Sequence, residues 1–203
     1  MKQPISGLVP ENRLGIATDL YQLTMANGYS FHDKQDEIAT FDLFVRKLPK
    51  TRSYLMVAGL EQALYYLLNM RFTNEDIEML RKMSIFRNAQ EKFWDYLSTF
   101  RFTGSVMAMP EGSIAFGNEP MMTVSAPLIE AQIAETYLLT CFNHQTKIAS
   151  KASRCVEAAV LGFLKRNIKT YVYENIIKAV DEKIGAIAIE EMKNLGAIFV
   201  KHT

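Results

Sequence analysis

Apolar residues recur at helical spacing over residues 19–29, through Leu20, Leu23, Met25 and Ala26. Thr18 or Asp19 can cap that segment and Gly28 stands near its end. Residues 37–48 alternate instead and are rich in Ile, Thr, Phe and Val, which predicts a strand stopped by Pro49. A helical pattern returns over 59–69 through Leu60, Ala63, Leu64 and Leu67. Thr73-Asn74-Glu75-Asp76 then carries a capping residue and early acids, opening a helix through Ile77 and Leu80. A further short helix is expected over 91–100, holding the sole tryptophan, Trp94.

The pattern changes at Arg101. Residues 102–125 are punctuated by Gly104, Pro110, Gly112, Gly117 and Pro120, as expected of several short strands joined by tight turns. After Pro127 a long apolar helical pattern covers 128–142, with Glu130 and Glu135 among its polar positions, and a second helix is expected over 149–159. From Val160 onward the chain reads as helical and mixed in charge. Near its end, residues 187–195, Gly196 and residues 197–200 predict helix, glycine stop and strand, one αβ unit of a barrel or layered sheet. There is no internal repeat.

Composition narrows the classes. With 203 residues and 49% hydrophobic content the chain can bury one or two cores. Lys+Arg 23 against Asp+Glu 22 leaves a net charge of +1, which argues against a nucleic-acid partner. Residues 1–11 lack the apolar run of a signal peptide, and no apolar stretch approaches a membrane span, so a cytoplasmic protein with no membrane contact is expected. The 2 cysteines, Cys141 and Cys155, form no paired motif and read as buried thiols in a reducing compartment.

Chemistry is thinly signalled by the residues alone. None of the 3 histidines has a partner at metal-ligand spacing, so no metal site is expected from the protein's own side chains. His144 is a candidate general base, although a hydrogen-bonded structural histidine is the ordinary expectation there. The motifs 110–113 and 116–120 are turn chemistry before anything else. Lys147, Lys151 and Arg154 fall at i, i+4 and i+7, one face of a helix, suiting either a phosphorylated ligand or solvent. Tyr21 stands at a helix start where an aromatic can stack on a flat ligand or pack in a core or interface. Arg46 and Lys47 sit at a predicted strand end.

An ordered set of motifs adds to this. Thr18-Asp19-Leu20-Tyr21-Gln22-Leu23-Thr24-Met25, Phe41-Asp42-Leu43-Phe44-Val45-Arg46-Lys47-Leu48-Pro49 and Ala58-Gly59-Leu60 come first. Pro110-Glu111-Gly112-Ser113, Asn118-Glu119-Pro120, Pro127-Leu128-Ile129-Glu130-Ala131-Gln132, Glu135-Thr136 and the run 147–154 follow. Over roughly three quarters of the chain this order resembles the nicotinate phosphoribosyltransferase family. The resemblance implies attack of nicotinate on phosphoribosyl pyrophosphate, giving nicotinate mononucleotide and pyrophosphate for NAD synthesis. ATP is implied as co-substrate and Mg2+ as the companion of phosphoribosyl pyrophosphate. It also implies that Tyr21, with Asp19 beside it, stacks on the pyridine ring across a homodimer interface. Arg46 and Arg154 become candidates for phosphate or carboxylate contact.

The implied fold is α+β: a helical and β-rich N-terminal domain of a type II phosphoribosyltransferase over 1–127, then the first elements of a β/α barrel over 128–203. Family members complete that barrel, and a closed barrel of eight αβ units takes about 250 residues. Roughly fifty residues follow Arg154, and no later histidine stands in a motif suited to a phosphohistidine. The chain alone is therefore expected to lack part of the site. The resemblance implies a truncated or internally deleted transferase or one piece of a split one, with a non-catalytic fragment that associates with a full-length or complementary chain as the alternative.

Overall fold

A computed structural model describes residues 13–48, 53–173 and 182–200. The first helix, α1 (Leu20–Phe31), buries Gln22, Leu23, Ala26 and Ser30 on one side. It runs through Gly28, where a terminus was expected, and stops instead at Asp33, which adopts φ 57°. The Asp33 and Lys34 amides return to the carbonyls of Ser30 and Tyr29, closing the helix in a Schellman turn. Gly28 is thus an interior helical glycine, and a Cβ added there would meet nothing within 4 Å. Gly28→Ala is expected to stabilise the chain by about 0.5–1 kcal/mol, read as a small rise in Tm.

Strand β1 (Ile38–Phe44) is shorter than its alternating pattern, and its register with its neighbour shifts between Leu43 and Phe44. β2 (Leu55–Met56) leads into α2 (Leu60–Asn69), then α3 (Asn74–Arg81), a 3-10 turn at Ser84–Phe86, and α4 (Glu91–Ser98). Thr73 and Asp76 form the expected capping box of α3. The punctuated segment yields β3 (Ser105–Ala108), β4 (Ile114–Ala115) and β5 (Pro120–Pro127). β1, β5 and β3 make an antiparallel sheet in that order, and β2 pairs with β4. On β5, Met122, Val124 and Ala126 face the core; Thr123 and Ser125 point to the other side and bond across to Asp42 and Thr40 of β1.

The largest departure from expectation is α5 (Leu128–Leu164), one continuous helix of 37 residues where two were predicted. The polar stretch at Asn143-His144-Gln145 holds no glycine or proline to break it. Asn143 and His144 face solvent, while Gln145 donates to Gln62 Oε1 at 2.5 Å. Thr146 and Ser150 then occupy buried positions one turn apart. The Thr146 hydroxyl both accepts from the Ala58 amide (3.1 Å) and donates to its carbonyl (3.0 Å), and Ser150 accepts from the Met56 amide (2.9 Å). These bonds satisfy backbone groups that would otherwise be buried without partners.

The main core joins α1–α4, the sheet and the first half of α5, with Ile129, Ile133, Tyr137 and Phe142 among its members. The tail departs from the helical reading. β6 (Tyr171–Tyr173) pairs in parallel with β7 (Ile198–Val200), joined by α6 (Glu182–Asn194). Alternating aromatic and β-branched residues at 171–173 outweigh the helical tendency of their surroundings. Gly196 at φ 100° stops α6 as expected, and Ala197 donates to Met192. A small second core of Val160, Val172, Met192 and Ala197 lies there. No helix of the described residues is long and apolar enough to cross a membrane.

Candidate functional site

Tyr21 occupies the first turn of α1 and is 51% exposed, so its ring is open to a ligand or a second chain rather than sunk in the core. Leu20, Met25 and Phe31 are exposed on the same helix. Asp19 is the N-cap residue in extended conformation, but its side chain makes no capping bond. Its carboxylate accepts instead from the Thr136 hydroxyl (3.2 Å), whose oxygen accepts from the Asp19 amide (3.3 Å). The adjacent Thr18 hydroxyl donates to the Ile133 carbonyl at 2.9 Å. The start of α1 is thereby pinned to the second and third turns of α5.

Beneath Tyr21 lies a buried amide pair. Gln22 is fully buried, and its Nε2 donates to Tyr21 Oη (2.8 Å) and to Glu135 Oε2 (2.7 Å). Gln132 donates to Gln22 Oε1, and the Tyr29 hydroxyl donates to Gln132 Oε1 at 3.3 Å. Loss of hydration, then the nearby Glu135 and Asp19 carboxylates, raises the Tyr21 phenol above the ordinary tyrosine value, while the bond from Gln22 partly opposes this. The phenol therefore keeps its proton at neutral pH. Gln22, Gln132 and Thr136 stand in the resemblance motifs without any role assigned from the sequence. The available signal was two amides on helix faces that also carry apolar residues.

Glu130, one turn before Ala134 on α5, is buried and accepts from the Thr103 amide (2.6 Å) and hydroxyl (2.9 Å). Burial raises its pKa, against the lowering effect of the Thr103 and Gly104 bonds. The folded state then holds a proton that the unfolded chain releases near pH 4.5, so this group's stabilising effect is complete below that pH and is lost as pH rises through the folded-state pKa. Glu130→Gln is expected to reduce the fall in Tm between pH 4.5 and neutrality, measured by thermal melts across that range.

The other candidates lie elsewhere. Arg46 is exposed, two residues past β1, in a loop held by the Asn118 amide donating to the Val45 carbonyl at 2.8 Å. Arg154 is on α5, nineteen residues beyond Glu135 and thus roughly 28 Å along the helix axis; its side chain lies outside the described residues. Lys147 and Lys151 are exposed on the same helix. The structure joins Tyr21 to Asp19 and does not bring Tyr21 and Arg154 together within one chain.

His144 is exposed and has no described catalytic neighbour, His32 stacks edge-on with Phe31 at the end of α1, and His202 lies outside the described residues. Burial pushes the Cys141 thiol up to about 12, which fits an inert core residue; the side chain of Cys155 lies outside the described residues. Glu111 of the 110–113 turn accepts from the Gly59 amide at 2.9 Å and so covers the start of α2. Among the described residues no group of three or more His, Cys, Asp or Glu converges on one point.

Comparison with known proteins follows the same segments. The family model for the nicotinate phosphoribosyltransferase (NAPRTase) N-terminal domain matches residues 16–143. A nicotinate phosphoribosyltransferase of Mycobacterium tuberculosis is 44% identical over 142 residues, covering 70% of this chain and 30% of that protein. One of Bacillus subtilis is 44% identical over 144 residues, covering 71% and 29%. The crystal structure of human nicotinic acid phosphoribosyltransferase matches with a TM-score of 0.65 and 30% identity, over 76% of this chain and 30% of that one. The chain thus spans about 30% of the length of these relatives. Its fold is the α+β fold of a type II phosphoribosyltransferase N-terminal region. The chain belongs to the nicotinate phosphoribosyltransferase N-terminal domain family.

Proposed function

We propose that the chain supplies the ring-binding arm of a nicotinate phosphoribosyltransferase. Tyr21 stacks on the pyridine ring of nicotinate, with Asp19 beside it. Arg46 and Arg154 pair with the carboxylate and phosphate oxygens of nicotinate and phosphoribosyl pyrophosphate. The reaction forms nicotinate mononucleotide and pyrophosphate, coupled to ATP hydrolysis. Magnesium enters with phosphoribosyl pyrophosphate, held chiefly by phosphate oxygens and water, as that ion commonly is. The protein's part is to hold a flat ring against the sugar and to neutralise the phosphates.

The observation that carries this reading is the position of Tyr21, half exposed at the start of α1 and linked through Gln22 to Glu135, from which Arg154 lies roughly 28 Å further along α5. A mononucleotide cannot bridge that gap, so the arm of one chain serves cations on another, and a homodimer or a complementary chain is required. A β/α barrel, continuous with these residues or carried by a second chain, closes the site.

Complementation tests it. The purified chain is mixed with a full-length relative whose own ring-stacking tyrosine is alanine, and labelled nicotinate, phosphoribosyl pyrophosphate, ATP and magnesium are supplied. Mononucleotide formed by the mixture well above either component alone supports the shared site. Unaided turnover by this chain overturns the requirement for a barrel beyond these residues. The exposed apolar residues Leu20, Met25 and Phe31 favour association by themselves, and stable association without rescue selects the second reading, a non-catalytic fragment bound to a partner chain.

A further inference from the structure

A half-exposed tyrosine on a helix surface ordinarily samples several rotamers. Tyr21 differs because its oxygen is bonded from below by an amide with no solvent contact. The orientation of that amide is fixed by its neighbours. Glu135 presents a carboxylate, which only accepts, so the NH2 end of Gln22 must face it. Gln132 donates to the other end, and Tyr29 donates to Gln132 in turn. Both hydrogens of the Gln22 amide are thus committed, one to Glu135 and one to Tyr21. The Tyr21 oxygen is consequently an acceptor toward the protein, and its own hydrogen is left to point outward.

Resting on the reading of Tyr21 as the ring-binding residue, we propose that Gln22 is a positioning residue that locks the Tyr21 ring in one orientation and turns its hydroxyl into a donor toward the bound ligand. The donor meets an acceptor on the ligand or on the chain that completes the site. Gln22 touches no substrate. It acts through Tyr21 alone, and the order of the ring precedes ligand binding, which lowers the entropy cost of stacking.

The experiment is relaxation NMR on the ligand-free chain with labelled tyrosine rings. In the wild type the Tyr21 ring is expected to be as ordered as buried Tyr66, despite its exposure. Gln22→Met removes both donors while keeping volume, and is expected to release the ring to the mobility of a solvent tyrosine while the resonances of the main core stay in place. In a Tyr21→Phe background, Gln22→Met is expected to change ring order little, since the bonded oxygen is already gone. A mobile Tyr21 ring in the wild type overturns the proposal without any variant having to fold. An equal loss of order across α1 in Gln22→Met, with or without the Tyr21 oxygen, also overturns it in favour of a merely structural glutamine. In the complementation assay, Gln22→Met is expected to lose about fivefold in kcat/KM, the value of one hydrogen bond. An ordered, Gln22-dependent ring whose removal leaves turnover untouched would instead fault the reading of Tyr21 as the ring-binding residue.

Discussion

Gly59→Ala is expected to destabilise the chain by about 4 kcal/mol, read as a Tm lowered by roughly 8–16 °C or as failure to fold. Two effects add. Gly59 is the N-cap residue of α2 at φ 113° and ψ 1°, a conformation that side chains rarely adopt and that costs about 1–2 kcal/mol. A Cβ built there would also stand 2.7 Å from the Cys141 carbonyl oxygen and 2.9 Å from its carbon. Both obstacles are backbone atoms in the middle of α5, so no rotamer change relieves them. The Gly59 amide donates to Glu111 as well, and displacement would strip α2 of that cover. Gly28→Ala serves as the opposite control, since the same methyl there enters open space. Equal stability of Gly59→Ala and wild type would show that α2 and α5 do not meet as closely as described.

Periodicity located most elements because burial in this fold follows it closely. The helices at 20–31, 60–69, 74–81 and 91–98 and the strands between 105 and 127 lie where apolar spacing and turn residues predicted them. What escaped depended on partners distant in sequence. Asn143-His144-Gln145 reads as a break between helices, yet Gln62 supplies the bond that makes a polar position tolerable there. Thr146 and Ser150 acquire their buried role only when the backbone at 56–58 is placed against them. Tyr171-Val172-Tyr173 is too short for a period to be recognised and acquires strand character only by pairing with residues 198–200. The site divides in the same way. Tyr21 and Asp19 were legible as a motif at a helix start, whereas the bonds of Gln22, Gln132 and Thr136 around them exist only once α1 crosses α5. The cations at Arg46 and Arg154 were legible as charge, but no one-dimensional pattern could reveal how far α5 carries Arg154 from the ring.

Tyr21→Ala is expected to leave the fold intact and to remove most of the proposed activity. The ring is 51% exposed and belongs to no core cluster, so its loss should change stability by less than about 0.5 kcal/mol. Gln22 would lose one acceptor, but removal of the half-exposed ring opens that point to water, which can replace it. Stacking of a flat heterocycle on an aromatic side chain contributes about 1–3 kcal/mol, which corresponds to roughly 5- to 150-fold in kcat/KM for nicotinate in the complementation assay. Tyr21→Phe keeps the stacking surface and should retain most of that factor, losing only the contribution of the hydroxyl, about fivefold. The pair of variants separates ring from hydroxyl within one residue. If alanine and phenylalanine fail equally, stacking is not what Tyr21 contributes and the ligand is held by the phenol oxygen. If neither changes turnover while melting temperatures stay equal, the exposed face of α1 serves association with a partner chain rather than the chemistry.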